Sequence, residues 1–229
     1  KGDDRVPEMA IGRLPVLTSE ELTMLISKIK SYEAATGSWT DKILMVADNP
    51  DNGGNFTTDS DDLTALISSE YSVEKIYLSE HSVDETRDLI IDKINDGALL
   101  LNYIGHAGLD RLAHEGILKT SDISSLSNGS KLPVLNAMTC TAGRFDVPGY
   151  DCISEYLVLK NNGGMIAVWS PTGLSFNLQA KLLDEGFFKA IFEDKEKTLG
   201  DAVLKALKYY ANTNNMPYIL DIYNILGDP

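Results

Sequence analysis

Asn102-Tyr103-Ile104-Gly105-His106-Ala107-Gly108 and Asn136-Ala137-Met138-Thr139-Cys140-Thr141-Ala142-Gly143 decide how this chain is read. Each closes an apolar run, ends on one reactive side chain, and then turns to small residues. The first run, Ala98 to Ile104, delivers a histidine; the second, Leu132 to Thr139, delivers a cysteine. Short apolar runs bounded by turn residues are typical of strands buried on both faces of a parallel sheet. If the two are neighbouring parallel strands, an imidazole and a thiol emerge side by side at one sheet edge.

The flanking sequence supports such a sheet. Lys42 to Ala47 (KILMVA), Val73 to Leu78 and Gly164 to Ser170 read as further strands, and Ala10 to Val16 as a short one. Between them lie helical patterns. Thr18 or Ser19 caps a helix through Ala35 with Leu22, Leu25, Ile26 and Ile29 on one face. Asp62 to Tyr71 is expected to be helical. Ser82-Val83-Asp84-Glu85 has the capping-box pattern and opens a helix that Gly97 ends. A short helix is expected near Ser121 or Asp122, and longer ones over Asp151 to Lys160, Leu178 to Glu193 and Leu199 to Ala211. Tyr218 to Leu226 is ambiguous. Strands alternating with helices imply right-handed βαβ units and a three-layer α/β/α sandwich with a mostly parallel sheet. In such sheets ligands bind beyond the carboxyl ends of the strands.

Composition narrows the partners. The chain has 229 residues, 43% apolar and 24% charged, and a net charge of -14. That acidity disfavours nucleic acid and anionic membranes, which need clustered Lys and Arg. No apolar run approaches the roughly 18 residues of a membrane span. Two cysteines, Cys140 and Cys152, are too few for a disulfide scaffold, although a bridge between them is one structural reading. The opening Lys1-Gly2-Asp3-Asp4 is polar and shows no signal peptide. The chain has no initiator Met and stops at Gly227-Asp228-Pro229, so it is read as a single domain, residues 1–229, cut from a longer multidomain protein.

A thiol beside an imidazole can be activated as a nucleophile, and backbone N–H groups can receive the charge on an attacked carbonyl. Taken alone, one His and one Cys are weak evidence, since either is often structural. The two runs also resemble the His and Cys motifs of gingipain-like cysteine peptidases, peptidase family C25, which are relatives of caspases and legumain. Ala10-Ile11-Gly12-Arg13-Leu14-Pro15, Gly163-Gly164-Met165-Ile166-Ala167 and Tyr223-Asn224-Ile225-Leu226-Gly227-Asp228-Pro229 are similar to further segments of that family, in its order. The resemblance implies a caspase-like fold and an endopeptidase working through an acyl-enzyme. Cys140 would be the nucleophile and His106 its acid/base partner. The amides of Ala107 and Cys140 would form the oxyanion hole. The family commonly has Gly after the His, so Ala107 departs from the pattern.

Position by position, the resemblance also implies that Asp48 lies behind the His and orients it; the bland reading is an Asx-turn before Asn49-Pro50. Asp59 or Asp61 would sit at the floor of a pocket for a basic P1 residue. Alternatively the acidic loop Asp48 to Asp61 is solvated or holds a structural Ca²⁺. Phe176 or Trp169 would supply an aromatic pocket wall, or belong to core or rim. His114 and His81 are expected on the surface, and Cys152 buried and inert. Asp110 and Asp146 are near the proposed site. No cofactor is required for the chemistry. Substrates would be proteins or peptides, the precursor's further domains would be partners, and the location would be secreted or at a bacterial surface. Two other activities stay open: a sortase-like transpeptidase and a non-catalytic binding domain of the same fold.

Overall fold

Four strands buried along most of their length form the centre of the molecule: β2 (Lys42–Ala47), β4 (Leu100–Ile104), β7 (Val134–Met138) and β8 (Ala167–Pro171). The computed structural model describes residues 6–214 and 216–229; the polar opening Lys1 to Asp4 lies outside them. With β1 (Gly12–Arg13), β3 (Ser72–Tyr77) and β9 (Tyr223–Leu226) they make a seven-stranded sheet in the order β1-β9-β8-β7-β4-β2-β3. The five strands from β8 to β3 run parallel, while β9 is antiparallel to β8 and parallel to β1.

One sheet face carries α1 (Ser19–Glu33), α3 (Val83–Asp96) and α4 (Ile153–Leu159). Their Leu25, Ile90, Ile94, Ile153 and Leu157 pack on Leu44, Val46, Leu101, Leu135 and Val168. The other face carries α2 (Phe56–Thr64), α5 (Asn177–Phe188), α6 (Leu199–Thr213) and α7 (Tyr218–Ile222). These cover Ile43, Met45, Ile104, Met138 and Trp169. The result is the expected three-layer, mostly parallel sandwich.

Local signals act as read at several points. Thr18 and Glu21 form a reciprocal capping box on α1, and Ser82 and Glu85 form another on α3. Elsewhere tertiary packing overrides the pattern. Helix α2 begins at Phe56, not Asp62, because Asn55 caps it by accepting from the Thr58 N–H and Phe56 is pulled into the core. Strand β1 keeps only two residues, since Pro15 has no N–H to continue a ladder. The ambiguous C-terminal stretch divides into α7 and β9, the latter fixed by pairing with β8. A hairpin of β5 (Arg111–Leu112) and β6 (Leu118–Lys119), which no strand pattern announces, follows His106. The end of α5 passes into a π-helical turn over Lys189–Glu193.

The topology selects one edge for chemistry. The chain runs from β2 outward to β3, crosses back over β2 to β4, and then proceeds the other way to β7 and β8. The crevice where direction reverses lies between the carboxyl ends of β2 and β4. Asp48 leaves β2 there and His106 leaves β4.

Candidate active site

The register of β4 on β7 pairs Ile104 with Met138. His106 and Cys140 are each two residues further on, so they leave adjacent strand tips at the same height. Both runs break into loops at that point, and each loop is held by specific bonds.

His106 is gripped through its backbone. Its N–H donates to Asp48 Oδ2 at 3.0 Å. Its carbonyl accepts from the Tyr103 hydroxyl at 2.5 Å and from the Ala113 N–H at 2.7 Å. The same hydroxyl accepts from the Ala113 N–H at 2.9 Å, so the buried Tyr103 closes the loop from His106 to Ala113. Gly105 makes this possible: a Cβ there would press on the Asp48 side chain and lie 2.6 Å from the Tyr103 hydroxyl oxygen. Burial raises the Asp48 carboxyl above its ordinary range, although the His106 and Asn49 amides favour its ionised form.

The imidazole is oriented by different residues. Its Nε2 lies 2.9 Å from Asp51 Oδ2. The Asp51 carboxyl sits below the usual carboxylate range, chiefly because the Gly53 N–H donates to it at 2.6 Å, with the His106 ring adding to the effect. In the tautomer that donates Nε2–H to Asp51, Nδ1 carries the lone pair that can take a proton. The ring stacks on His114 at 4.5 Å between centroids and meets the edge of Phe56 at 5.2 Å. Gly53 leaves it room, since a Cβ there would stand 2.9 Å from Cε1. The ring-orienting carboxylate is therefore Asp51 and not Asp48: the tight turn after β2 brings the fourth residue past the strand over the ring, while Asp48 spends its oxygens on the His106 and Asn49 amides. His114 is exposed, as expected of a surface residue, but it also forms one wall of the imidazole.

Cys140 Sγ lies against the main chain of Ser175, 3.3 Å from its nitrogen and 3.5 Å from its oxygen. Ser175 is tied in turn by its hydroxyl to the Tyr223 hydroxyl at 3.0 Å. Thr141 adopts φ +46, an uncommon conformation for a residue with a Cβ, and its N–H donates to the Gly173 carbonyl. Both cysteines are free, so Cys140 is not bridged to Cys152. Burial pushes the Cys152 thiol up to about 12, which leaves it protonated and unreactive.

The N–H groups of Ala107 and Cys140 have no acceptor among the described residues. Ala107 faces Leu112 in a bridge whose bonds come from its neighbours, Ala113 N–H to the His106 carbonyl and Gly108 N–H to the Arg111 carbonyl. Ala107 is not among the residues with positive φ, so its methyl group introduces no backbone strain.

The substrate-side residues separate. Phe176 caps α5 next to Ser175 and is 54% exposed. Trp169 cannot be a pocket wall, because it points into the sheet face under α5, fully buried against Phe187 and Tyr223. Asp59 contacts Asn177 Nδ2 at 2.7 Å and Lys181 Nζ at 2.8 Å, at the start of α5. Asp61 is turned to β3, where Lys75 and the Tyr77 hydroxyl bind it. Among the described residues, no three His, Cys, Asp or Glu side chains converge as a metal site. Asp110 pairs with Arg111 and Asp146 with Arg144.

Below the site the same two strands share a buried polar cluster. Asn102 and Asn136, each four residues before its reactive residue, donate to the two oxygens of Asp184 on α5 at 2.9 and 2.5 Å. Asn136 also donates to Asn102 Oδ1 at 2.7 Å. Burial pushes the Asp184 carboxyl up to about 8. Sequence reasoning did not single out Asp51, Tyr103, Ser175, Tyr223 or this cluster. The one signal in the sequence is the Asn that opens both quoted runs at the same offset.

Gingipain R2 of Porphyromonas gingivalis is 28% identical over the whole chain, which spans 33% of that protein. Lys-gingipain W83 of Porphyromonas gingivalis is 27% identical over 72% of the chain and 10% of its own length. The crystal structure of the Arg-specific cysteine proteinase gingipain R superimposes with a TM-score of 0.88 at 22% identity, covering 100% of this chain and 56% of that one. The sequence profile of Peptidase family C25 matches residues 1–229. The strand-tip histidine and cysteine thus sit on a gingipain-type, caspase-like fold, and the chain belongs to peptidase family C25, a family of cysteine-type endopeptidases.

Proposed function

We propose that this chain is the catalytic domain of a cysteine endopeptidase in which Cys140 attacks the peptide carbonyl and His106 handles the proton. The observation that carries this reading is the placement of His106 and Cys140 two residues past one paired position of adjacent parallel strands, with Asp51 holding Nε2. Nδ1 is then the nitrogen that accepts the thiol proton and returns it to the leaving amine. The thiolate bonds to the carbonyl carbon, and the oxyanion is received by the Ala107 and Cys140 N–H groups. Collapse of the tetrahedral species expels the amine, and water hydrolyses the thioester. To let a carbonyl approach, Sγ must leave its contacts with Ser175. The scheme uses side chains and amides of this chain alone.

The substrate class in this proposal is a protein or peptide with a basic P1 residue. Asp59 is the acid favoured for it, because it reaches from α2 to Asn177 at the start of α5, two residues from Ser175. Lys181 is shared by Asp59 and Asp62, so one positive charge faces two carboxylates and one negative charge stays uncompensated. Since the chain spans 33% of Gingipain R2, the activity of the whole protein, its further domains and a location outside the cell all belong to this proposal.

A peptidyl chloromethylketone should label Cys140 and not Cys152, and His106→Ala should sharply slow the labelling. Labelling of Cys152 alone, or of neither, would instead indicate a binding domain. A P1-diverse peptide library should favour Lys or Arg, and added amines would reveal acyl transfer in place of hydrolysis.

A further inference from the structure

Lys28 lies on α1, away from the strand tips, and its surroundings are those of a neutral amine. It is 9% exposed. Its Nζ donates to two backbone carbonyls at the end of α4, Val158 at 2.8 Å and Lys160 at 3.1 Å. Among the described residues no carboxylate comes within ion-pair distance. Lys181 and Lys205, by contrast, each meet two carboxylates. A neutral amine has two N–H bonds and a lone pair, so two carbonyls match its donors and leave the lone pair unspent. An ammonium would add a third N–H and a buried charge, neither with a partner.

Lys28 also borders a groove of about 750 Å³ between α1 and the loops that precede β7 and β8. Hydroxyl and amide groups line it, from Ser19, Thr23, Ser27, Ser130 and Asn162. Glu20 borders it too, with its carboxylate engaged by the Ser19 hydroxyl. Such a lining suits a small, hydroxyl-bearing molecule.

We propose that Lys28 is a covalent modification site at which small hydroxylated aldehydes condense with the side-chain amine. The nitrogen lone pair bonds to the aldehyde carbon as the C–O π bond opens, both amine protons pass in turn to that oxygen, and the C–O bond breaks to release water and leave an imine. No oxidant or reductant is consumed. Burial lowers this amine to about 7, with the nearby Lys160 charge acting in the same direction. About half of it is therefore free base at pH 7, against roughly one part in 2,500 for an ordinary lysine.

The test uses the folded chain with glyceraldehyde and cyanoborohydride as a trap, and peptide mass spectrometry for each lysine. At pH 7 Lys28 should be modified at least about tenfold faster than Lys30, its exposed neighbour on α1. Its rate should level off above about pH 8 while that of Lys30 keeps rising, and the advantage should vanish in urea. Modification of Lys28 no faster than Lys30, parallel pH profiles, or an advantage that survives unfolding would overturn the proposal.

Discussion

Replacing Asp184 with Asn should make stability less dependent on pH, and the size of the effect follows from the burial of this group. Asp184 is fully buried, and its carboxyl is raised to about 8. In the unfolded chain it should titrate near 3.9. Between those values the native state holds a proton that the unfolded state has released. Its contribution is therefore fully present below about pH 4 and is lost as pH rises toward 8, by about 1.4 kcal/mol per pH unit. Over four units this amounts to about 5 kcal/mol, an upper figure for a single group. Asn cannot ionise, so this pH-dependent loss is absent from the variant. At pH 4 to 5 Asp184→Asn should lie within about 1 kcal/mol of wild type, the worth of one exchanged hydrogen bond. At pH 8 it should be several kcal/mol more stable. The remaining carboxylates titrate alike in both proteins and cancel in the difference. Urea unfolding followed by circular dichroism at pH 5, 6, 7 and 8 measures it. Two stability curves that run parallel across this range would show that Asp184 is ionised throughout, and would refute the account of the cluster.

Further outcomes follow from the site. Asp51→Asn should lower kcat/KM by about 10- to 100-fold with little loss of stability, whereas Asp48→Asn should act mainly on stability, by about 1–2 kcal/mol, through the His106 backbone bond. Peptide hydrolysis and thermal melts on both variants separate the two roles. Tyr103→Phe removes the donor to the His106 carbonyl and one acceptor of the Ala113 N–H, so melting should report a loss of about 1–3 kcal/mol. Gly53→Ala places a methyl group 2.9 Å from the His106 ring, which should slow chloromethylketone labelling of Cys140 while leaving the circular dichroism spectrum unchanged. Iodoacetamide at pH 8 should alkylate Cys140 in the folded protein and reach Cys152 only after unfolding, as peptide mapping would show.

Much of the architecture was legible because it rests on local and periodic signals. The runs Lys42 to Ala47, Ala98 to Ile104 and Leu132 to Thr139 are mostly apolar because both faces of a parallel strand are covered, and that pattern marks them as strands. Thr18, Ser82 and Gly97 mark helix ends through bonds made within a few residues. The start of α2 was missed because the burial of Phe56 decides it. The hairpin of β5 and β6 was missed because two-residue strands carry no periodicity. The family resemblance points to Asp48 as the ring-orienting acid, but only the path of the turn shows that Asp51 reaches the ring. Trp169 was read as near the site because it lies near the end of a strand, and the parity of that strand turns it inward.

By itself, then, the sequence determined the order of the elements, the parallel sheet, and the delivery of a histidine and a cysteine at the ends of two strands, because hydrophobic period and capping chemistry are written in neighbouring residues. Which carboxylate meets the imidazole, what the thiol touches and which acids lie spent against lysines were decided only in three dimensions. Those outcomes depend on residues as far apart as Asp51 and His106, or Cys140 and Ser175, and a separation along the chain says nothing about the direction in which two side chains meet.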